Sequence, residues 1–331
     1  MAKKVELKVY NAEENLEEWS LEQEMGFHSL WKLHYGENPQ QAAMIFKSPD
    51  MADYEVLGNK NLSYNEILSL TELANVLSEF YDVCAVAIVK HAAPCGVALG
   101  ATLEEAYNKA FDCDPVASFF GAIGSSKTID FEIAKHINSM SVKMVIAPDF
   151  EPAALKLLGE NHFIKVVKLN TPLKDFKSLT QKDIHVTPFG TLYQDCNSSE
   201  LGKNSFRVVT KTKPTKEQIE DCVFAWKISK YARSNSIVIA KDFKTSAIAQ
   251  GHISPVGAVE AALNAACDGS KNAIMASDNT LPTIDCIYAA VQGRISTIIQ
   301  PGGSINDEKM IALADKYNIA MVFTGIKNYK H

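Results

Sequence analysis

Lys90 and His91 close a run of small and apolar residues, Cys84-Ala-Val-Ala-Ile-Val89. An imidazole titrates near neutrality and serves as a general base. A neighbouring ammonium disfavours the imidazolium and keeps the ring ready to accept a proton. The run reads as a buried strand, and polar residues at the carboxyl ends of parallel strands face the crevice where α/β folds bind ligands. A solvated Lys-His pair after a strand is the plain alternative. Pro94-Cys95-Gly96 follows and reads as a tight turn. Histidine followed by Pro-Cys is a feature of zinc deaminases, which need His-x-Glu and Pro-Cys-x-x-Cys. Here Ala92 and Ala93 follow His91, and Gly96, Val97 and Ala98 follow Cys95. Both requirements fail, so no zinc is expected.

Three further constellations carry chemistry. In Ser234-Asn235-Ser236 a carboxamide can donate to a reacting carbonyl oxygen, or Asn can cap a helix C-terminus. Pro301-Gly-Gly-Ser304 precedes a helix pattern, so its backbone N–H groups suit an anion or simply make a structural turn. Tyr35-Gly-Glu-Asn-Pro39 is turn chemistry with an aromatic residue.

Short apolar runs position these groups. Beside 84–89 they are Val145-Ile-Ala147, Ile237-Val-Ile-Ala240, Ile295-Ser-Thr-Ile-Ile299 and Ile319-Ala-Met-Val-Phe323. Without polar alternation they suit strands covered on both faces. Between them lie amphipathic helices. Residues 63–80 put Ile67, Leu70, Leu73, Ala74 and Leu77 on one stripe behind Ser63. Thr102-x-x-Glu105 and Thr215-x-x-Gln218 read as capping boxes, and Asp307 and Glu308 suit the first turn of a helix over 306–317. The order is that of an α/β chain with helices on both sheet faces. A polar stretch over 166–205 places a domain boundary. Lys90 after one strand and Lys241 after another hint at duplication.

The chain has 331 residues, 47% hydrophobic and 22% charged, with a net charge of −6. That excludes disorder and coiled coil and argues against general nucleic-acid binding, which needs a basic stripe. No apolar run approaches the roughly 20 residues of a membrane span, and the start reads as no secretory signal. A cytoplasmic protein is expected, without membrane or nucleic-acid partners. The seven cysteines are scattered and odd in number, as in reduced thiols.

Taken in order, these pieces resemble the formyltransferase part of the bifunctional purine-biosynthesis protein, AICAR transformylase (phosphoribosylaminoimidazolecarboxamide formyltransferase). The segments that carry the likeness include Tyr35-Gly-Glu-Asn-Pro39, Lys60-Asn-Leu-Ser-Tyr-Asn65, Val89-Lys-His91, Asp114-Pro115 with Phe119, and Val145-Ile-Ala-Pro148. They continue through Val209-Thr-Lys211, Trp226-Lys227, Ser234-Asn235, Met275-Ala-Ser-Asp278, Gln300-Pro-Gly-Gly-Ser304 and Met321-Val-Phe-Thr324. The likeness runs from about residue 30 to the last residue.

It implies two tandem cytidine-deaminase-like three-layer α/β/α units, over 29–185 and 186–331 after an extension over 1–28. They would form an intertwined homodimer with shared active sites. It implies formyl transfer from 10-formyltetrahydrofolate to the amine of AICAR or a close aminoimidazole, in the route to IMP. His91 would be the base, Lys90 would serve the folate leaving nitrogen, and Asn235 would polarise the formyl group. His34, Tyr35, Phe119, Lys143 and Lys327 would meet substrate. Val116, Pro282, Asp285, Gln300 and Pro301 would meet folate, and Ser234 and Asp278 would border a potassium ion. The cyclohydrolase step would fall to a separate protein.

The departures cluster at ligand contacts. His34 stands where the family has an arginine, and Gln-x-Ser-Arg, whose arginine binds phosphate, reads His252-Ile-Ser-Pro255. Lys143 replaces an acid, Phe120 a glycine and Ala93 an asparagine. Ala-Phe-Phe-Pro-Phe-Arg-Asp reads Asn279-Thr-Leu-Pro-Thr-Ile-Asp285. Hydrogen bonds to charged groups are worth about 1.5–3 kcal/mol each, so two lost arginines would cost about 3–6 kcal/mol. The alternative reading is a paralogue that binds a metabolite or partner without turnover.

Overall fold

The computed structural model describes residues 32–47, 51–58, 61–179, 182–202 and 205–331, with short strands at Lys8–Val9, Trp19–Ser20 and Ser29–Lys32. Most of the expected extension over 1–28, and Lys60, lie outside the described residues.

Twelve strands form one sheet. In chain order they are β1 Tyr54–Leu57, β2 Cys84–Lys90, β3 Ala93–Gly100, β4 Ala122–Ser125, β5 Met144–Ala147 and β6 Lys165–Leu169. These are followed by β7 Arg207–Val208, β8 Ile237–Lys241, β9 Lys244–Ala249, β10 Ile274–Ser277, β11 Thr297–Gln300 and β12 Ala320–Phe323. The spatial order is β7-β12-β11-β10-β8-β9-β3-β2-β4-β5-β6-β1. It reads the same from either edge once each strand of the first six is matched to its counterpart in the second six. The hint of duplication therefore becomes a pseudo-two-fold between units, its axis passing between β3 and β9.

Eight helices cover the sheet. They are α1 Tyr64–Ser78, α2 Leu103–Phe111, α3 Phe131–Ser139, α4 Pro152–Glu160, α5 Lys216–Ser229, α6 Pro255–Ala266, α7 Ile284–Gln292 and α8 Asp307–Lys316. Strand alternation decides which face each residue serves. Ala85, Ala87 and Val89 join Val238 and Ala240 in one core under α1 and α5 that spans both units. Val86 and Ile88 turn the other way, toward α2, α3 and α4, and Ile237 and Ile239 toward α6, α7 and α8. Burial on both faces explains the unbroken apolar runs.

The expected caps form. Ser63 and Glu66 make a reciprocal box at α1, and Thr215 and Gln218 one at α5. At α2 the Thr102 hydroxyl accepts from Glu105 N, but the Glu105 carboxylate accepts from Ala101 N at 2.8 Å. The box is therefore not reciprocal there. The sheet is mixed. β4, β5 and β6 are parallel, as are β10, β11 and β12. β2 runs antiparallel to both neighbours. Lys90 thus does not end a parallel strand; it leads into a hairpin.

At the seam, Thr245 is fully buried and exchanges two 3.0 Å hydrogen bonds with the Val97 backbone. Below it lies a buried ion pair: Lys230 Nζ sits 2.7 Å from Glu79, with both side chains at 2% exposure or less. Lys177 at 2.9 Å and the Tyr231 hydroxyl at 2.9 Å also bind this carboxylate. Burial pulls the Glu79 carboxyl up, but Lys230 and Lys177 outweigh it and hold it below its ordinary value. The expected boundary between residues 185 and 186 falls inside a hairpin strand, Lys182–Thr187, that stands outside the main sheet.

Breaking a buried pair from one side strands the other charge, at a cost of about 3–5 kcal/mol. Glu79→Gln is expected to lose about that much stability in urea unfolding at pH 7, and Glu79→Met/Lys230→Met to lose less than either single variant. Because the folded carboxyl is depressed, its contribution is present above the ordinary carboxylate pKa and fades as pH falls through the folded value. Glu79→Gln should therefore lose less stability on acidification than the parent.

Candidate active site

Lys90, His91 and Ala92 form the β2–β3 tip. His91 and Ala92 have φ of 53° and 54°, the left-handed pair of a two-residue hairpin turn. Glycine or asparagine usually supplies that geometry, and other residues meet Cβ crowding worth roughly 1–2 kcal/mol each. Pro94-Cys95-Gly96 is not the turn; it lies within β3. The Cys95 thiol donates to Ile88 O at 3.4 Å and is pushed up to about 12 by burial. It is a packed thiol, not a nucleophile.

The Lys90 ammonium donates to Phe119 O at 2.9 Å. Phe119 ends a short turn opened by Pro115, where Asp114 Oδ1 accepts from Ala117 N at 2.7 Å. Val116 (82% exposed), Phe119 and Phe120 make an apolar lip there, the two rings edge-on at 4.4 Å. Phe120 has φ of 56°, the geometry that the glycine implied by the resemblance would adopt freely. Exposed Lys143 lies beside this lip, its N–H donating to Gly121 O at 2.9 Å. His91 is exposed.

The second unit supplies a cavity of about 570 Å³ lined by Ser234, Asn235, Gly251, His252, Ile253, Asn279, Tyr329 and His331. Helix α5 ends at Ser229 with Lys230 as its cap, so Asn235 is not a helix cap. The Ser234–Asn235 peptide is cis. Asn235 pairs with His252 through both backbone groups. Its carboxamide donates to His252 O at 2.9 Å, makes a longer contact of 3.4 Å with Ile253 O, and accepts from Asn279 Nδ2 at 3.4 Å. The Tyr329 hydroxyl in turn donates to Asn279 Oδ1 at 2.7 Å.

Beneath the cavity, Asp278 is fully buried. It accepts from the Ser234 hydroxyl at 2.5 Å and from Ser236 N at 2.7 Å. Burial raises its carboxyl despite these donors, and among the described residues no ammonium or guanidinium is a main influence on it. The Ser236 hydroxyl is buried beside it without a well-formed hydrogen bond. Hard oxygens around a carboxylate lacking a cationic partner are a donor set for a hard cation.

The pseudo-two-fold brings both groups to one end of the sheet. There the β2 tip adjoins the starts of β4, β5 and β8 and the ends of β9, β10, β11 and β12. Gln250 joins the two sides. Its amide donates to Pro94 O at 3.0 Å and its carbonyl accepts from Arg233 N at 3.3 Å. Sequence reasoning missed Gln250, which no local pattern marks.

The remaining expected residues are dispersed around this end. Lys327 is exposed, its ammonium 5.5 Å from the Tyr329 ring centre. His34 and Tyr35 sit in a loop tied to α1 by Asn65 Nδ2 donating to Glu37 O at 3.0 Å. Gln300 and Pro301 are buried. Gln300 Oε1 accepts from Leu281 N at 2.8 Å, so this side chain holds the 279–282 loop. Pro282 O accepts from Asn306 Nδ2 at 2.9 Å, and Asp285 is exposed in the first turn of α7. Gly303 N in the Pro301-Gly-Gly-Ser304 segment donates to Asp307 at 2.7 Å, which favours the structural turn.

Residues 4–265 match the family described as AICARFT/IMPCHase bienzyme. The chain is 40% identical over 310 residues to the bifunctional purine biosynthesis protein PurH of Caldicellulosiruptor saccharolyticus, covering 92% of this chain and 60% of that protein. It is 38% identical over 303 residues to PurH of a Thermoanaerobacter species, covering 90% and 58%. With PurH of Aquifex aeolicus it shares 35% over 324 residues, covering 96% and 62%. The chain thus spans about three fifths of the length of these relatives.

Ala92→Gly relieves one left-handed Cβ and is expected to raise unfolding free energy by about 1 kcal/mol. Urea denaturation measures this; a loss of stability would show that the methyl packs rather than strains.

Proposed function

The chain belongs to the AICARFT/IMPCHase bienzyme family, and from that premise we propose that it is a folate-dependent formyltransferase of purine biosynthesis. It would move a formyl group from 10-formyltetrahydrofolate to the amine of AICAR or a close aminoimidazole. The observation that supports this reading is that the Lys90-His91 tip and Asn235, from different units, lie at the same end of the sheet, with Gln250 bonded to Pro94 O and Arg233 N between them.

The roles follow from acyl-transfer chemistry. The amine nitrogen bonds to the formyl carbon and its proton passes to His91, a step worth about 10²–10⁴ in rate. Charge gathers on the formyl oxygen, where the Asn235 amide can donate by giving up its long contact to Ile253 O. Such a donor is worth about 10²–10³. The C–N10 bond then breaks, and Lys90 supplies a proton to the folate nitrogen. The Lys90 ammonium keeps N–H groups beyond the one bound to Phe119 O.

The apolar lip of Val116, Phe119 and Phe120 would face the folate ring. His34, Tyr35, Lys143 and Lys327 would hold the aminoimidazole. We read the units as cytidine-deaminase-like and the active form as an intertwined homodimer in the cytoplasm. Exposed Ile253 in the cavity lining, exposed Ile305, and Val186, Phe189 and Leu192 on the 182–195 hairpin support a second copy covering these residues. Ser234, Ser236 and Asp278 would hold potassium, which would supply a fixed charge against the buried carboxylate.

Purified protein incubated with AICAR and 10-formyltetrahydrofolate should yield formyl-AICAR by mass. His91→Ala should cut turnover at least a hundredfold with little change in melting temperature. No product from the parent would overturn the reading and leave the binding paralogue. Potassium should raise the melting temperature of the parent over a choline buffer, and Ser236→Ala should abolish that gain; equal gains in both proteins would remove Ser236 from the cation site.

A further inference from the structure

We propose that Glu72 is a positioning residue: from helix α1 of the first unit it latches residues 328–331, of which Tyr329 and His331 line the Asn235 cavity of the second. The inference rests on the reading of that cavity as the site of formyl transfer and adds a residue that touches neither cavity nor reacting group.

Glu72 is 5% exposed. Its Oε2 accepts from Lys330 Nζ at 2.7 Å, and its Oε1 is buried with no hydrogen-bond partner. Burial raises the carboxyl in spite of Lys330 and the nearby Arg233. A carboxylate so placed is costly unless its hydrogen-bonded cation stays. The Lys330 ammonium also donates to Tyr231 O at 3.2 Å, so it is held from both units.

The backbone of the same residue reaches the site. Lys330 N donates to the Ser234 hydroxyl at 3.1 Å, and Ser234 N donates to Lys330 O at 2.9 Å. Ser234 precedes Asn235 directly and binds Asp278. One residue earlier, Tyr329 orients Asn279, which donates to the Asn235 carboxamide. One residue later, His331 lines the cavity. Asn328 N donates to Asp278 O at 2.8 Å, and the Asn328 side-chain Oδ1 accepts from Asn197 Nδ2 at 2.9 Å. Residues 328–331 are therefore one bonded segment, and Tyr329 and His331 from it line the cavity. Their hold on the first unit is the Glu72–Lys330 pair, 258 positions apart in the chain.

Residues 326–331 follow the last strand and belong to no helix or strand, so side-chain and loop bonds must hold them in place. Loss of the pair should free residues 329–331 and loosen Ser234, while the core stays folded. Destabilisation alone lowers the active fraction, and hence apparent kcat, without moving KM. A loosened wall raises KM for the ligand it encloses.

The test uses full-length Glu72→Gln, Lys330→Met and the double variant. Hydrogen exchange by mass spectrometry reads peptides covering residues 231–236 and 326–331, and steady-state kinetics follow both substrates. Exchange at Ser234 and the tail should quicken at least tenfold in each single variant, and no further in the double. KM for the aminoimidazole should rise at least tenfold in each. Lys330→Met alters a partly exposed residue outside any helix or strand and keeps the test open if Glu72→Gln folds poorly. Exchange within twofold of the parent overturns the latch, and faster exchange with unmoved KM overturns its positioning role. Faster exchange in a protein whose parent shows no formyl transfer supports the latch and overturns the formyltransferase reading instead.

Discussion

The contact between Glu79 and Lys230 is the constraint from which the arrangement follows. Each residue is the C-cap of its unit's long helix, α1 and α5, so the two are counterparts under the pseudo-two-fold. Counterparts near such an axis meet each other, as self-complementary patches do in a symmetric dimer. Two identical charges there would repel in a site shielded from water. Opposite charges at the two positions turn that repulsion into a bond, with Lys177 and Tyr231 satisfying the remaining carboxylate capacity. The units have had to differ at this point in order to join.

Joining them in this sense decides where chemistry can occur. The axis inverts one unit against the other, so the hairpin tip of the first unit and the strand starts of the second share an end. The opposite end holds their counterparts. There Asp242 and Phe243 repeat the left-handed pair, with φ of 53° and 54°, but Asp221 accepts from both their N–H groups at 2.9 and 2.8 Å. At the counterpart of Asp278, the Ser126 hydroxyl accepts from Ala85 N at 2.9 Å and donates to Val83 O at 2.6 Å. A hydroxyl with a donor and an acceptor is satisfied, whereas a buried carboxylate among hydroxyls still lacks a counter-charge. One end is closed by structural bonds and the other retains reactive groups.

Much of the fold was legible because the signals were local. Ser63 with Glu66 and Thr215 with Gln218 announce their helices, and runs such as 84–89 announce strands covered on both faces. The hairpin at His91-Ala92 was not legible, because neither residue carries the glycine or asparagine signature of its turn, and Pro94 drew attention to the wrong place. Parallel and antiparallel neighbours cannot be told apart from an apolar run alone, so Lys90 was expected at the end of a parallel strand. Lys90, His91 and Asn235, whose catalytic roles belong to the proposal, were singled out from residue type and resemblance. Gln250 and Glu72 were not, since each acts through a partner distant in the chain. The bond from Leu281 N to the Gln300 side chain, which holds the 279–282 loop, was illegible for the same reason.

The altered ligand contacts become intelligible at α6. The segment where the resemblance implies a phosphate arginine starts this helix, with Ser254 as its cap and Pro255 in the first turn. Proline brings no N–H, and Gly257 N is taken by the Ser254 hydroxyl at 3.4 Å. Two donors that a helix start could offer an anion are therefore withdrawn along with the guanidinium. On the formyltransferase reading, the grip on a phosphate passes to the opposite wall, where Lys327 stands against Tyr329 and His331 lines the cavity. That wall is the segment whose backbone also fixes Ser234. Recognition of the charged end of the substrate and orientation of the Asn235 carboxamide then depend on one stretch of chain. A substrate that engages Lys327 would steady the group that polarises the formyl carbon, so binding energy gained far from the reacting atoms would be expressed in the transition state.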